Sequence, residues 1–291
     1  MYYLVKAFIA FLALFPLRVN HIIGHSIGLL FYHTQNRTRQ VSETNIQICF
    51  PDWSKEQRQA LLKKSLIEFG KTLTEIAPLW RWDKNSVLDY LTISNEEIMR
   101  DAMNSSKGVI FLTPHLGCWE IAGLYLGEHS SVTTLYQQPK IKALDNLTRT
   151  ARGRSGATLV NTGRRGIMAL LKALKSGQSV GILPDQTPKA LNSGVFAPFF
   201  GQPALTMNLI SSLGNKSEAM IVVGFAERKA KGEGYHLHLM MGDREISDPD
   251  PIIAATALNR QVEVLIRMMP EQYQWSYKRF KKVPEEQAKI Y

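Results

Sequence analysis

His115 and Glu120 stand five positions apart in the stretch TPHLGCWE (113–120), directly after the apolar run GVIFL (108–112). An imidazole is the usual general base near neutral pH, and a carboxylate bonded to one ring nitrogen decides which nitrogen is left to take a proton. On a straight helix five residues turn about 500°, roughly 140° out of phase, so the two side chains would not share a face. They converge only if His115 sits in the turn after a strand and Glu120 in the first turns of the next helix, where the helix N-terminus favours negative charge. The chemistry this predicts is proton abstraction from a substrate hydroxyl, with Glu120 accepting a hydrogen bond from the imidazole and the freed hydroxyl oxygen attacking a bound acyl group. Cys118 lies in the same turn and reads as a spectator. The competing reading is a histidine that caps the helix and pairs with Glu120 for structural reasons alone.

Two further clusters accompany this pair. Arg152, Arg154, Arg164 and Arg165 lie in ARGRSGATLVNTGRRG (151–166), and Lys172 and Lys175 follow them. Guanidinium forks suit phosphate groups, whereas most of the lysines read as a solvated basic face. Aromatic residues are not interleaved with these cations, which argues against a nucleic-acid surface. Asp185, in the segment GILPDQ (181–186), follows the end of an expected strand as His115 does. Beyond it Pro198, Phe199, Phe200 and Gly201 read as an apolar loop lining an acyl-chain channel, or else as a loop packed on the core. A third motif is a decoy: GHSIG (24–28) matches a hydrolase nucleophile elbow, but only an apolar, helix-like segment precedes it where strands are required.

The elements that must position these groups follow from periodicity. A capping box at Ser54 and Gln57 opens a long amphipathic helix, and a second helix spans about 95–103. From there strands at 109–113, 132–137, 158–161 and 179–183 alternate with helices at 118–126, 141–152 and 166–175. Such alternation predicts an α/β fold with a mostly parallel central sheet flanked by helices. A loop at 184–203, a helix at 206–213, a hairpin within 220–241 and a helix at 252–269 complete the chain. Residues 35–106 read as a helical lead-in and 107–291 as the α/β core, with 35–291 as one domain.

Residues 1–34 are strongly apolar, but the longest uncharged core (7–17) is 11 residues, between Lys6 and Arg18. A spanning helix needs about 20. The segment therefore reads as a retained membrane-anchoring helix lying in or dipping into one leaflet; a tilted span over 2–17 and an ordinary core helix are the alternatives. The net charge of +10, from 35 Lys and Arg against 25 Asp and Glu, favours anionic partners. Two cysteines, Cys49 and Cys118, without CxxC spacing, exclude a disulfide framework and a Cys-rich zinc site.

Taken in order, HLGCWE, YQQP, ARGR, GRRGIMALLKALKSGQSVGILPDQ, VFAPFFG and PEQYQWSYKRFK resemble the bacterial lipid A late acyltransferases of the glycerolipid acyltransferase superfamily, over most of the chain. The resemblance implies an inner-membrane enzyme acting on the cytoplasmic face. Such an enzyme moves a fatty acyl chain of the lauroyl or myristoyl class from acyl carrier protein to a hydroxyl of a phosphorylated lipid A precursor. The family's His-x4-acid pair falls on His115 and Glu120, its motif arginine on Arg152 with Arg154 beside it, and its PD aspartate on Asp185. Tyr136, Phe199, Phe200 and Gly201 then fall on the substrate side. No metal or tightly bound cofactor is implied, because the thioester supplies the driving force. Many members have Tyr-Arg-Pro where this chain has Tyr136, Gln137, Gln138 and Pro139, which leaves another glycolipid or an aminolipid open as the acceptor. A thioesterase or lipase using the same pair on water is the alternative activity.

Overall fold

A computed structural model describes residues 2–138 and 142–291. The expected start of the 141–152 helix and Pro139 of YQQP lie outside the described residues. The chain opens with α1 (Tyr2–Leu12), α2 (Leu17–His33), α3 (Arg37–Cys49), α4 (Lys55–Arg81) and the short α5 (Lys84–Leu88). There follow β1 (Leu91–Ser94), α6 (Glu96–Asn104), β2 (Val109–Leu112), α7 (Trp119–His129), β3 (Val132–Tyr136), α8 (Lys142–Gly153), β4 (Thr158–Asn161), α9 (Arg164–Lys175) and β5 (Ser179–Ile182). The last third holds β6 (Gly194–Phe199), β7 (Gln202–Met207), α10 (Leu209–Ser217), β8 (Met220–Arg228), β9 (Tyr235–Met241) and α11 (Pro251–Met268).

Seven strands form one sheet in the order β1-β9-β8-β2-β5-β3-β4, parallel throughout except for the β8–β9 hairpin. Helices cover both faces, as parallel sheets require. Along β2, Ile110 and Leu112 enter one core with α3, α4, α9 and α11, while Val109 and Phe111 enter the other with α6 and α7. The expected strands and most helices lie within a few residues of their predicted bounds. The exceptions have local causes. Strand β1 is too short to show alternation. The expected loop at 184–203 contains β6, and the helix expected from 206 begins at Leu209 because Thr206 is still in β7.

The apolar N-terminus is two helices, not one. The chain breaks at Pro16, and the buried Asn20 amide donates to the carbonyls of Leu12 and Phe15 at 3.0 Å each, bridging the break. A tilted span over 2–17 is thereby excluded, since α1 ends at Leu12. Among the described residues, no helix is long and apolar enough to cross a membrane. Helix α2 lies along α4, and Gly24 and Gly28 permit the contact: a Cβ on Gly24 would come within 2.7 Å of the Gly70 carbonyl oxygen. The GHSIG motif is thus a packing seam. Its serine, exposed on α2, donates to the Ile22 carbonyl at 3.2 Å.

A buried ionic network ties these helices to the sheet. Arg228 of β8 makes hydrogen bonds to both oxygens of Glu75 on α4, one at 2.7 Å, and reaches Glu68 at 2.8 Å. Glu75 also accepts from the Tyr235 hydroxyl at 3.0 Å and faces His21 of α2 at 3.2 Å. Burial opposes the charge on Glu75, but Arg228 and His21 outweigh it and lower its pKa to about 2. A carboxyl depressed in the fold stabilises it above the ordinary value of 4.5 and ceases to do so as pH falls towards 2. Glu75→Gln should therefore destabilise the protein at neutral pH by about 3–5 kcal/mol, because it leaves Arg228 buried and short of a counter-charge. The gap to the native protein should narrow below pH 4.5, which denaturant melts across the acid range would show. A gap that stays constant with pH would contradict this reading of Glu75.

Candidate active site

Strands β2 and β5 are parallel neighbours in a register that pairs Leu112 with Ile182. Both chains leave the sheet at the same edge, and the Thr113 amide still donates to the Ile182 carbonyl at 3.1 Å. Three residues beyond the paired ends stand His115 and Asp185. The carboxylate holds the histidine twice: Asp185 Oδ2 accepts from the His115 backbone N–H at 3.1 Å, and Oδ1 lies 2.9 Å from His115 Nδ1. Burial opposes a charge on Asp185, yet His115 and its backbone amide hold the carboxyl below the usual aspartate value. An ionised Asp185 can only accept, so Nδ1 carries the proton and Nε2 is left as the basic nitrogen. Gln186 stands 3.1 Å from that nitrogen.

The carboxylate partner expected of His115 was Glu120, and here the structure differs. Among the described residues Glu120 makes no hydrogen bond to His115. It sits in the first turn of α7 as expected, but it faces the Arg152 guanidinium, with Nε at 3.2 Å and Nη2 at 2.5 Å, and accepts from Trp80 Nε1 at 3.2 Å. Burial raises its pKa and Arg152 more than offsets that, so the net shift is downward. Register brings Asp185 to the ring before the helical turn can bring Glu120. The His115 ring packs instead on the intervening Trp119, centroid to centroid 5.0 Å.

Next to the loops that carry the pair opens a narrow cleft with room for about 80 Å³; His115 and Asp185 are not among its lining residues, but Thr113, Trp119 and Leu183, within a few positions of them in the chain, are. Trp119, Glu120 and Arg152 line it together with the apolar side chains of Leu79, Phe111, Leu124 and Ile182. Gly123 of α7 also faces it, and a Cβ there would meet nothing within 4 Å.

The remaining predicted residues fall elsewhere. Arg154 reaches the cleft wall, but its guanidinium donates to the carbonyls of Leu79 and Trp82 at the end of α4, so it ties α8 to α4 instead of standing free for phosphate. Tyr136 is buried. Its hydroxyl donates to Asp145 at 2.7 Å, with Arg149 4.6 Å above the ring, and burial together with Asp145 raises its pKa to about 12. Phe199, Phe200 and Gly201 do not line the cleft. Phe200 (φ 49°) and Gly201 (φ 75°) form the two-residue turn of the β6–β7 hairpin, and both rings pack into the core, Phe200 against Phe50 and Phe199 against Phe280. Arg164 and Arg165 are exposed at the start of α9. Cys118 is buried, and burial, with Glu75 nearby, pushes its thiol well above the usual value, which suits a spectator.

Sequence reasoning passed over the groups that set the loop 115–118. Arg228 Nη2 donates to the Gly117 carbonyl at 3.3 Å. The Gln272 carbonyl accepts from Gly117 N at 3.1 Å, and Gln274 N donates to the His115 carbonyl at 2.9 Å. The glutamines belong to PEQYQW (270–275), a stretch whose spacing carries no chemical signal of its own.

An α/β fold with a carboxylate-held histidine at the carboxyl edge of its sheet, close to an apolar cleft whose wall includes Arg152 and Arg154, belongs to the class of α/β proteins that gather their polar groups at the ends of parallel strands. The family model described as bacterial lipid A biosynthesis acyltransferase matches residues 1–282, and the chain belongs to that family of enzymes. It is 29% identical over 273 residues to a lipid A biosynthesis lauroyltransferase of Escherichia coli (strain K12), covering 93% of this chain and 88% of that one. A palmitoleoyltransferase of the same strain is 27% identical, covering 95% and 89%. A myristoyltransferase is 23% identical, covering 94% and 85%.

The hydrogen-bond pattern fixes an observable. In nitrogen-15 spectra of the labelled protein, the neutral form of His115 should carry its proton on Nδ1. Asp185→Asn should redistribute that proton between the two nitrogens, whereas Glu120→Gln should leave it in place. A proton on Nε2 in the native protein would contradict the assigned pair.

Proposed function

We propose that this enzyme transfers a fatty acyl chain from the thioester of acyl carrier protein to a hydroxyl of a phosphorylated lipid A precursor, at a membrane surface. The observation that carries the proposal is His115, whose Nδ1 is held by Asp185 so that Nε2, facing the Gln186 amide, is the basic nitrogen, on the loop next to an apolar cleft. The acceptor hydroxyl gives its proton to Nε2 as its oxygen bonds to the thioester carbonyl carbon. The tetrahedral intermediate collapses with rupture of the C–S bond, and the imidazolium returns the proton to the departing thiolate. Asp185 orients the ring and stabilises its charged form.

Arg152 is the cation with one side free for substrate, since its side chain is one-third exposed and its anchor, Glu120, is nearly buried. It serves the developing oxyanion or the acceptor phosphate. Glu120 acts through Arg152 in this scheme. The acyl chain enters the cleft, with Gly123 leaving room for it. Glycine within a helix is unfavourable by about 0.5–1 kcal/mol relative to alanine, so the open space at Gly123 suits a function better than it suits stability.

The membrane contact falls to α1. Phe8, Phe11 and Leu14 are 55%, 54% and 79% exposed, with Lys6 and Arg18 exposed nearby. An apolar helix face flanked by cations fits a headgroup boundary, with α1 lying on the surface. Helix α1 packs on α4 and α8, which also wall the cleft through Leu79, Trp80, Ala151 and Arg152. The membrane-facing side is thus the side on which the chain enters, and the inner membrane's cytoplasmic face is the compartment where acyl carrier protein would meet it.

His115→Ala should lower acyl transfer by about 10²–10⁴-fold, as the loss of a general base does, in a protein that still folds; near-native turnover would overturn the proposal. Gly123→Leu should favour shorter chains, shifting the octanoyl-to-tetradecanoyl rate ratio by about tenfold or more. An unchanged ratio would place the chain outside this cleft.

A further inference from the structure

The base nitrogen of His115 is already occupied. Gln186 Nε2 lies 3.1 Å from His115 Nε2, and a neutral ring with its proton on Nδ1 has only a lone pair at Nε2, so the amide donates and the ring accepts. Gln186 follows Asp185 directly. Its backbone is fixed on both sides, by the buried Asp185 on one and on the other by Thr187, whose amide donates to the Tyr277 hydroxyl at 3.0 Å and whose hydroxyl donates to the Arg279 carbonyl at 2.9 Å. The Gln186 side chain is only half-buried, and its bond to His115 is the one hydrogen bond recorded for it among the described residues. A rigid base therefore carries an arm that breaks a single hydrogen bond to leave.

We propose that Gln186 is a positioning residue that guards the base: its amide holds the place of the acceptor hydroxyl on His115 Nε2 and keeps water from it until the acceptor arrives. The chemistry explains the need. A water at Nε2 would give its proton to the ring, bond through its oxygen to the thioester carbonyl carbon and expel the thiolate, which takes the proton back. Free fatty acid and thiol would result, with the donor wasted. The acceptor, bound through its own lipid and phosphate contacts, displaces the amide with binding energy that a water molecule lacks. The inference rests on the assignment of His115 as base.

The test uses the full-length protein with the lauroyl thioester of acyl carrier protein, measuring thiol release without acceptor and acyl transfer with a lipid A precursor. Gln186→Ala removes the arm, and Gln186→Met fills much the same space without an N–H. Both should raise the ratio of hydrolysis to transfer by about tenfold, the scale of one lost hydrogen bond, with the thermal midpoint unmoved. A ratio that stays native in either variant overturns the guard, even where both rates fall together, since a merely structural role would lower them in step. His115→Ala separates the two levels. Loss of hydrolysis and transfer together keeps the base assignment whatever Gln186 does, while retention of both overturns the base and the guard alike.

Discussion

The parallel pairing of β2 with β5 is the constraint on which the site depends. The register that sets Leu112 beside Ile182 carries forward to the residues three places beyond, so a histidine and an aspartate seventy positions apart in the chain meet at 2.9 Å. The loop after β2 turns through a left-handed glycine, Gly117 at φ 61°, two positions beyond His115. Two strands entering one edge side by side, each followed by a proline and then a polar residue at the same offset, suffice. Catalytic groups gather at the carboxyl ends of parallel strands for this reason.

Holding the histidine still takes more than its carboxylate. The loop 115–118 is bonded on one side to the end of β8, where Cys118 N donates to the Ala226 carbonyl at 2.8 Å, and on the other to residues 272–274. The Gln272 side chain links the two supports, accepting from Arg228 N at 2.8 Å and donating to the Arg228 carbonyl at 2.9 Å. Arg228 in turn is held by Glu75 and Glu68 of α4, the helix against which α1 and α2 pack. The helices that face the proposed membrane side and the loop that bears His115 thus share one buried ionic anchor. Removing one partner from such a network is costly because the other charge stays in the interior.

Much of this was legible in the sequence, and the rest was hidden for definite reasons. Alternating strands and helices, the capping box at Ser54 and the β8–β9 hairpin are local signals, and each lies where periodicity placed it. The order of strands in the sheet is not local. Reading along the chain put Glu120 nearest to His115, whereas adjacency of β2 and β5 puts Asp185 there. In the sequence Asp185 reads as a strand-end residue like His115, and only the pairing is missing. Arg152 was legible as a cation, but its partner Glu120 was not. Phe199 and Phe200 misled because proline and glycine suggested an open loop; the alternation in VFAPFFGQPALT was a hairpin signal, with Phe200 and Gly201 at the turn. Gln186 carried no signal beyond its place next to Asp185, since a glutamine acquires a role only from the nitrogen it faces.

The central claim is that Asp185, and not Glu120, acts through His115, and a double-mutant cycle on kcat/KM addresses it most directly. Residues that act as one unit are strongly non-additive. If the pairing is right, Asp185→Asn costs about a thousandfold in the native background, on the scale of general-base catalysis, and almost nothing further once His115 is alanine, while Glu120→Gln costs the same factor in both backgrounds. The opposite pattern, in which Glu120→Gln loses its effect in the His115→Ala protein and Asp185→Asn keeps its own, would contradict the account.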